Sequence, residues 1–468
     1  MPFVFFASFV FVLDGTAAAQ PQVTGTISNV TRVESWRYFE PRVETLSPST
    51  EPVGDPEYIF VGDRAELGVR VDGRRFDLSG AFNYVRIENL PTDAIGPGGF
   101  GPGAFYFAAT GVNYSYQLYL GELTLRMKSA DRRRAITLGR MPFDSQSSHR
   151  LVRERIDGRL IGNFEDSFYQ RRFDGARADV NRGSWRFSAG AFMPTQGGYE
   201  ESTNLTMTRI RLAIASATHT TDGAESNAFV YGYRDKRKRA MAVVDNRLVP
   251  DRAPDVTITS IGASHARAMK GGAGETDLVA WGVAQFGDWY GQRHRAGSVA
   301  LEAGHRWTTT PWRPWLRAGY LWASGDDDFT DGGHATFFPM LPSTRKYALS
   351  SVYSQMNLRD AFAQLLIEPS RFSARIEVHR LALASGGDLW YQGSGATASG
   401  DRFFGFAGRY AGGETSLGTV LDGTIDVPIR KHWSVKAYAG TMSAGAVVKQ
   451  WFTGQRLFFW SVENAIRF

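Results

Sequence analysis

The chain ends in the stretch "RLFFWSVENAIRF", Arg456 to Phe468, in which the character of the side chains alternates residue by residue. Counted in steps of two from the last residue, one face carries Phe458, Trp460, Val462, Asn464, Ile466 and Phe468. The opposite face carries Ser461, Glu463, Ala465 and Arg467. A period of two predicts a β-strand. An apolar face that ends on an aromatic residue is typical of a strand that faces lipid, with Asn464 as a polar exception.

The same period recurs along the chain. The stretches "YIFVGDRAELGVRV" and "RFSARIEVHR" each place apolar residues on one face and charged residues on the other. The mean hydropathy is −0.27 and 43% of the residues are hydrophobic. A membrane helix needs about 20 consecutive apolar residues, and no such run is present, so a helical membrane protein is excluded.

The number of strands and the lengths of the connections predict the architecture. Counting back from Phe468 gives eighteen segments near 22–35, 58–70, 74–86, 117–127, 134–140, 171–180, 184–193, 205–216, 224–234, 255–268, 275–286, 295–306, 312–323, 356–367, 371–385, 413–428, 433–447 and 456–468. Short connections alternate with long ones near 36–57, 87–116, 141–170, 324–355 and 386–412. We therefore expect an all-β fold, a transmembrane antiparallel β-barrel of about 18 strands with short periplasmic turns and long extracellular loops. Such a barrel belongs in a Gram-negative outer membrane.

The start of the chain predicts export. In "MPFVFFASFVFVLDGTAAAQ" an apolar run from Pro2 to Leu13 is followed by the small residues Ala17 to Ala19. This pattern is typical of a cleaved signal peptide, so we assign residues 1–19 to the signal and residues 20–468 to one barrel domain. The chain has no Cys, which suits an oxidising compartment.

The polar face of each strand is expected to face the lumen. On this reasoning the inner face carries more arginines than acids. The candidate solute-binding residues are Arg64, Arg70, Arg75, Arg126, Arg177, Arg209, Arg211, Arg306, Arg313, Arg317, Arg375 and Glu377. Rings of arginine lower the barrier for anions in a pore, so a channel that prefers anions is expected, and charge reversal at Arg177 and Arg317 should turn it toward cations. Pairs such as Arg375 with Glu377 also permit a structural role, in which the charges neutralise one another.

Several stretches carry a family resemblance. They are "RRFDGAR" (Arg171 to Arg177), "WASGD" (Trp322 to Asp326), "DLWYQGS" (Asp388 to Ser394) and "LGTVLDGTIDVPI" (Leu417 to Ile429). In order and content the chain resembles the alginate-export family of outer-membrane barrels. The resemblance implies an eighteen-stranded barrel with an electropositive constriction that passes an anionic polysaccharide. It also implies Arg140, Arg172, Asp174 and Arg177 as wall or constriction residues, and Trp390 and Tyr391 as loop residues.

Three functions stay open at this point. The first is a channel for an anionic saccharide, such as alginate or its oligomers. The second is a general or nutrient-specific porin for small solutes. The third is a barrel-embedded hydrolase, which is the weakest because no nucleophile and base stand together. The turn "IRKH" (Ile429 to His432) is shorter than the plug loop expected of an alginate exporter.

Neither a cofactor nor a metal site is expected. The loop "DDDFTDGG" (Asp326 to Gly333) lacks the ligand spacing of a calcium loop. His379, Glu377 and Ser373 share one strand face, where neighbours lie about 7 Å apart, so His379 is expected to be a wall residue. The expected partners are an anionic saccharide or another small anionic solute, outer-membrane lipid, lipopolysaccharide (including contacts from "RDKRKR", Arg234 to Arg239) and the barrel-assembly machinery, with no nucleic acid.

Overall fold

The computed structural model describes residues 21–40, 42, 55–96, 98–99, 101–199, 205–237, 256–272, 274–343, 352–393 and 406–468. The predicted signal peptide lies outside these residues and stays a prediction.

Eighteen strands form a closed antiparallel barrel. They are β1 (Gln22–Arg37), β2 (Glu57–Asp72), β3 (Phe76–Glu88), β4 (Ser115–Lys128), β5 (Arg134–Met141), β6 (Phe173–Arg182), β7 (Trp185–Pro194), β8 (Ile210–Thr221), β9 (Ala224–Asp235), β10 (Val256–Gly271), β11 (Gly274–Trp289), β12 (Gln292–Arg306), β13 (Trp315–Ala323), β14 (Leu358–Ile367), β15 (Ser373–Leu383), β16 (Ser416–Arg430), β17 (Trp433–Ala444) and β18 (Arg456–Arg467). Each strand pairs with the next along the chain. Strand β1 also pairs with β18, from Ser28 opposite Arg467 to Arg37 opposite Phe458. Closure leaves no unpaired strand edge in lipid, and the predicted fold is confirmed.

The connections differ at the two ends of the barrel. At the periplasmic end the turns contain two to eight residues. The extracellular connections are long and contain the short helices α1 (Pro102–Thr110) and α2 (Ala446–Trp451), a π-helical turn (Val152–Ile156), and the short strands Ile95–Gly96, Gly98–Gly99, Gly333–His334, Leu389–Gly393 and Phe406–Tyr410. One extracellular connection is tight: Tyr290 and Gly291, at φ 52° and 82°, join β11 to β12. Two successive residues with positive φ are typical of a two-residue hairpin.

The outer surface of the barrel is apolar, as the alternating pattern predicts. On β2, the outward-facing Ile59 and Leu67 are 47% and 57% exposed, whereas the inward-facing Phe60 is fully buried. On β18, Phe458 and Val462 face outward in the same way. Asn464 shares this outer face and accepts a hydrogen bond of 2.6 Å from Trp433 Nε1 on the neighbouring strand.

Folded-in loops fill the interior toward its extracellular end. Trp36 and Phe60 on the barrel wall belong to one apolar cluster with Tyr106 of α1, Phe168 and Trp390, all of them in extracellular connections. The inner wall is therefore apolar near that end. Within the described residues, no helix has the length and apolar character needed to cross a bilayer.

Candidate functional site: the lumen and its inner loop

The connection between β5 and β6, residues 142–172, enters the lumen, and we call it the inner loop. It begins after Met141 and contains the π-helical turn Val152–Ile156. Leu151 and Val152 of the inner loop pack against Ala266, Val279 and Trp315 on the wall. This small apolar cluster is separate from the large one near the extracellular end.

Glu302 on β12 attaches the inner loop to one side of the barrel. Its carboxylate accepts hydrogen bonds from Arg155 Nε at 2.7 Å and Arg159 Nη2 at 3.0 Å, both on the inner loop. It also accepts one from Arg317 Nη1 at 2.9 Å, on β13. Arg317 makes a second ion pair with Asp277. The Glu302, Arg159 and Arg317 side chains are each 1% exposed, so each depends on these partners for its charge to be tolerated.

Burial and the carboxylate have opposite effects on the two loop arginines. Burial is the largest effect on Arg155 and disfavours its charge, but the carboxylates of Glu302, Glu377 and Glu154 together outweigh it and raise the pKa of Arg155. For Arg159, burial dominates over Glu302 and lowers the pKa to about 10. Both guanidiniums therefore remain charged at neutral pH.

The opposite side of the lumen holds the other end of the inner loop. Arg32 on β1 donates to the Asp166 carbonyl at 2.7 Å, and Arg64 on β2 donates to the Ser167 carbonyl at 2.9 Å. Gly62 on β2 leaves room for the Phe168 ring, because a Cβ at this position would lie 2.2 Å from Phe168 Cζ. The inner loop thus crosses the lumen and is fixed at both walls.

A cavity of 760 Å³ lies between the inner loop and the periplasmic ends of β13 to β17. Its basic lining residues are Arg150, Arg153, Arg155, Arg317, Arg375 and Lys436. Its acidic lining residues are Asp144, Glu154, Asp157, Glu165, Asp166, Glu368 and Asp426. Among the described residues six bases face seven acids, so this part of the lining carries no surplus of positive charge.

Some of these charges are accessible to a solute. The side chains of Arg150, Arg375 and Lys436 are 39%, 32% and 43% exposed. Lys436 lies 4.0 Å from Asp426, which is 40% exposed. An exposed pair at this distance is weak, so both groups can exchange partners with a solute.

The structure places most of the predicted site residues on the inner side of the barrel. They are Arg64, Arg70, Arg126, Arg172, Arg177, Arg306, Arg317, Arg375 and Glu377. Several of them make local contacts: Arg177 donates to Asp179 at 2.9 Å, and Arg306 forms an ion pair with Glu368. Arg172 donates to the Gly121 carbonyl at 2.9 Å. A role in binding solute stays a prediction for all nine. Of this set, Arg317 and Arg375 line the cavity.

The inward assignment of Arg209 and Arg211 is corrected. Leu212 on β8 faces the interior and is 2% exposed, which turns Arg211 outward, and Arg211 and Arg209 are exposed at the extracellular end. The prediction assumed that polar residues face the lumen. Near this end the folded-in loops make the interior apolar, so on β8 the apolar residues face inward and the arginines face outward.

Arg140 and Asp174 are also on the outer side. Arg140 pairs in register with Leu123, an outward residue that is 51% exposed, and with Asp174 on the other neighbouring strand. The Arg140 guanidinium forms a bidentate pair with the Asp174 carboxylate: Nε donates to Oδ1 at 2.7 Å and Nη2 donates to Oδ2 at 2.8 Å. The pair is therefore part of the wall, as the resemblance allows, but it does not line the lumen.

Two further candidates lie in periplasmic turns. Arg75 precedes β3, and Arg313 precedes β13, and both are exposed. Arg313 has φ 44° and donates to the Glu368 carbonyl at 3.1 Å. The sequence predicts short turns at these two places, as observed. It placed both arginines inside the following strands, however, and in the structure those strands begin only after them.

Arg172 of the inner loop was predicted, but the loop arginines between His149 and Arg159 were not. The stretch "HRLVRERIDGR" (His149 to Arg159) is unusually rich in arginine for a long loop, and this density was the available signal. Trp390 and Tyr391 lie in a loop as the resemblance implies, in the two-stranded sheet of Leu389–Gly393 and Phe406–Tyr410. Both are buried, and Trp390 Nε1 donates to the Val352 carbonyl at 2.9 Å.

A closed barrel of eighteen strands with an apolar outer surface and an internal loop defines the class of an outer-membrane channel of the porin type. Its place is the Gram-negative outer membrane. A sequence profile of the family described as "Alginate export" matches residues 122–454, and the chain belongs to this family. The fold and family are those of a channel rather than an enzyme. A search of curated proteins finds no match.

Solved structures share the fold at low sequence identity. OccAB1 of Acinetobacter baumannii aligns with a TM-score of 0.59 and 8% identity over 95% of this chain and 96% of its own. OccK2 (OpdF) of Pseudomonas aeruginosa, in complex with glucuronate, aligns with a TM-score of 0.58 and 10% identity over 97% and 99%. The outer membrane protein opdK of Pseudomonas aeruginosa aligns with a TM-score of 0.54 and 8% identity, over 95% of this chain and 99% of its own.

Proposed function

We propose that the channel passes small saccharides that carry a carboxylate, namely uronates and their short oligomers. The observation that carries this proposal is the mixed lining of the cavity below the inner loop. Exposed cations on Arg375 and Lys436 share this lining with partly exposed carboxylates such as Asp426 and Glu154. A guanidinium pairs well with a carboxylate, and carboxylates accept hydrogen bonds from hydroxyl groups. A sugar acid offers both kinds of group on one small molecule.

The size of the cavity agrees with such a solute. An eighteen-stranded barrel without internal loops is wide enough to leave an aqueous channel. The inner loop reduces this space, and the remaining cavity of 760 Å³ is within the range of small-molecule sites. Because several weak contacts replace one tight site, a solute can enter and leave quickly.

The relatives support the same class of solute. The family is described by the export of alginate, an anionic polysaccharide, and a structure with this fold contains glucuronate, a sugar acid. At 10% identity the second observation only suggests which solute to test. The sequence also predicts contacts with lipopolysaccharide and with the barrel-assembly machinery. Both stay predictions.

A second candidate is a porin for small uncharged solutes. The balance of six bases and seven acids favours it, because such a lining gives no net attraction for anions. The two candidates differ in whether the charge of the solute matters.

Liposome swelling separates these candidates. With purified protein in liposomes, glucuronate should enter faster than glucose, which has a similar size and no charge. The double variant Arg375→Gln with Lys436→Gln should lose this difference, while Arg70→Gln should keep it because Arg70 is on the inner face but outside the cavity. Equal rates for the two solutes in the wild type would favour the second candidate.

A further inference from the structure

A buried cluster on the inner wall, which the proposed transport does not use, combines one histidine and two carboxylates. Glu377 and His379 lie on β15, and Asp422 lies on β16 directly opposite Glu377. Each offers one ligand atom, and these atoms all lie within 4.8 Å of one another. The residues are 1%, 0% and 3% exposed. The neighbouring strand thus supplies the third group that the spacing along β15 could not.

Several hydrogen-bond acceptors of the cluster receive no hydrogen bond from the described residues. His379 Nδ1 lies 3.0 Å from both carboxylate oxygens of Asp360, while His379 Nε2 has no hydrogen-bonding partner among the described residues. Neither oxygen of Glu377 accepts a hydrogen bond from the part of the chain that the structure describes, although Arg375 Nε forms an ion pair with Glu377 Oε2 at 3.2 Å. With Nδ1–H donating to Asp360, the Nε2 lone pair and the carboxylate oxygens are all acceptors. A bound metal ion would satisfy these acceptors together.

The nearby cations do not balance the cluster. When all three are ionised, Asp360, Glu377 and Asp422 together carry three negative charges. Arg375 contacts Glu377, but Arg155, which also lies near Glu377, is bonded to Glu302. The hydroxyl of Tyr438 interacts with Asp422 and contributes no positive charge.

A loop tyrosine is affected by the same negative charge. Tyr353 lies in an extracellular connection, beside the cluster. Burial, and then the carboxylates of Asp360, Asp422 and Glu377, raise the pKa of Tyr353 well above its usual value. The site therefore has a negative potential and no bulk water to screen it.

We propose that Glu377, His379 and Asp422 bind one divalent transition-metal ion, with Asp360 as the residue that positions His379. A histidine that donates its other ring N–H to a carboxylate is the usual arrangement at a metal. Imidazole suits Zn²⁺ and similar ions, whereas Ca²⁺ and Mg²⁺ prefer sites made of oxygen alone. Zinc bonds to nitrogen and oxygen are about 2.0–2.2 Å long, so small rotations of the carboxylates complete the site. The ion would join β15 to β16 behind the inner loop, since Arg155 of that loop lies over Phe362, and Phe362 stacks on His379.

Metal content after refolding tests this proposal. Untagged protein would be refolded in detergent with a chelator, dialysed against Zn²⁺ with excess Ca²⁺, and analysed by mass spectrometry of the metal. We expect one Zn²⁺ per chain in the wild type. Asp422→Asn and His379→Gln should lose it, and Asp360→Asn should bind about 10- to 100-fold more weakly.

The matched control is His265→Gln, because His265 is on the outer face, exposed, and bonded to Ser226. This variant should keep the metal. If His379→Gln does not fold, the isosteric Asp422→Asn decides the question. Wild type without stoichiometric Zn²⁺ would overturn the proposal and indicate that a proton on His379 neutralises the cluster. Retention of Zn²⁺ by Asp422→Asn and His379→Gln would overturn it as well.

Discussion

Replacing Glu302 with Gln should release the inner loop while leaving the barrel folded. Glu302 accepts hydrogen bonds from Arg155, Arg159 and Arg317 at 2.7 to 3.0 Å. The variant keeps the shape of the side chain but leaves Arg155 and Arg159 without their carboxylate. Breaking a buried ion pair costs about 3–5 kcal/mol. At about 1.4 kcal/mol per factor of ten, the detached state of the loop becomes roughly 10²- to 4 × 10³-fold more populated.

Two assays follow the release. Single-channel recording in planar bilayers should show higher conductance and more current noise, because a mobile inner loop no longer narrows the lumen. Limited trypsin digestion in detergent should cut the loop between Arg150 and Arg159 faster than in the wild type. The matched control is Asp426→Asn, which changes an exposed carboxylate in the same cavity. Unchanged conductance together with unchanged digestion would refute the anchoring role of Glu302.

Three further predictions concern pH, topology and charge reversal. Burial, and then Asp388, raise the pKa of Asp326 to about 6, so its protonated form stabilises the folded extracellular loop and this contribution is lost as the pH rises through about 6. Hydrogen exchange in that loop, corrected for intrinsic rates, should be slower at about pH 5 than at about pH 7.5. Asp326→Asn should abolish this difference. Equal protection of the wild type at the two pH values would contradict the prediction. A cysteine at Asp331 should react with an impermeant reagent in intact cells and one at Gly183 should not; the reverse pattern would invert the topology. Arg317→Glu should lower the yield of folded barrel, because Arg317 is 1% exposed and paired with Glu302 and Asp277; a normal yield of heat-modifiable barrel on gels would contradict this.

The last of these replaces an expectation from the sequence. From the sequence, charge reversal at Arg177 and Arg317 was expected to turn the channel toward cations. In the structure Arg177 is 8% exposed and bonded to Asp179, and Arg317 is more deeply buried. Selectivity is better tested at Arg375 and Lys436, whose side chains remain partly exposed in the cavity.

The barrel could be predicted from the sequence because its signal is local. Each strand shows its own period of two, and the apolar face of β18 is readable in steps of two back from Phe468, the residue after the strand. The connections are equally local, so the long loops could be separated from the short turns. The tight turn at Tyr290 and Gly291 is the exception among the extracellular connections.

The site was less predictable because its contacts are not local. The partners of Glu302 are 15, 143 and 147 residues away along the chain, and no strand period reveals them. The Arg211 side chain was assigned to the lumen because polar residues were assumed to face it. The sequence of β8 does not reveal that loops make the interior apolar beside this strand. The opposition of Glu377 and Asp422 likewise depends on the register between β15 and β16.

The reversal potential under a gradient of potassium glucuronate tests the proposed transport most directly. In planar bilayers, the wild-type channel should show a substantial permeability to glucuronate relative to K⁺. Arg375→Gln with Lys436→Gln should shift the reversal potential toward that of a cation-selective pore, and Arg70→Gln should not. A wild type that excludes glucuronate, or a double variant with the wild-type reversal potential, would contradict the role of the mixed lining in passing sugar acids.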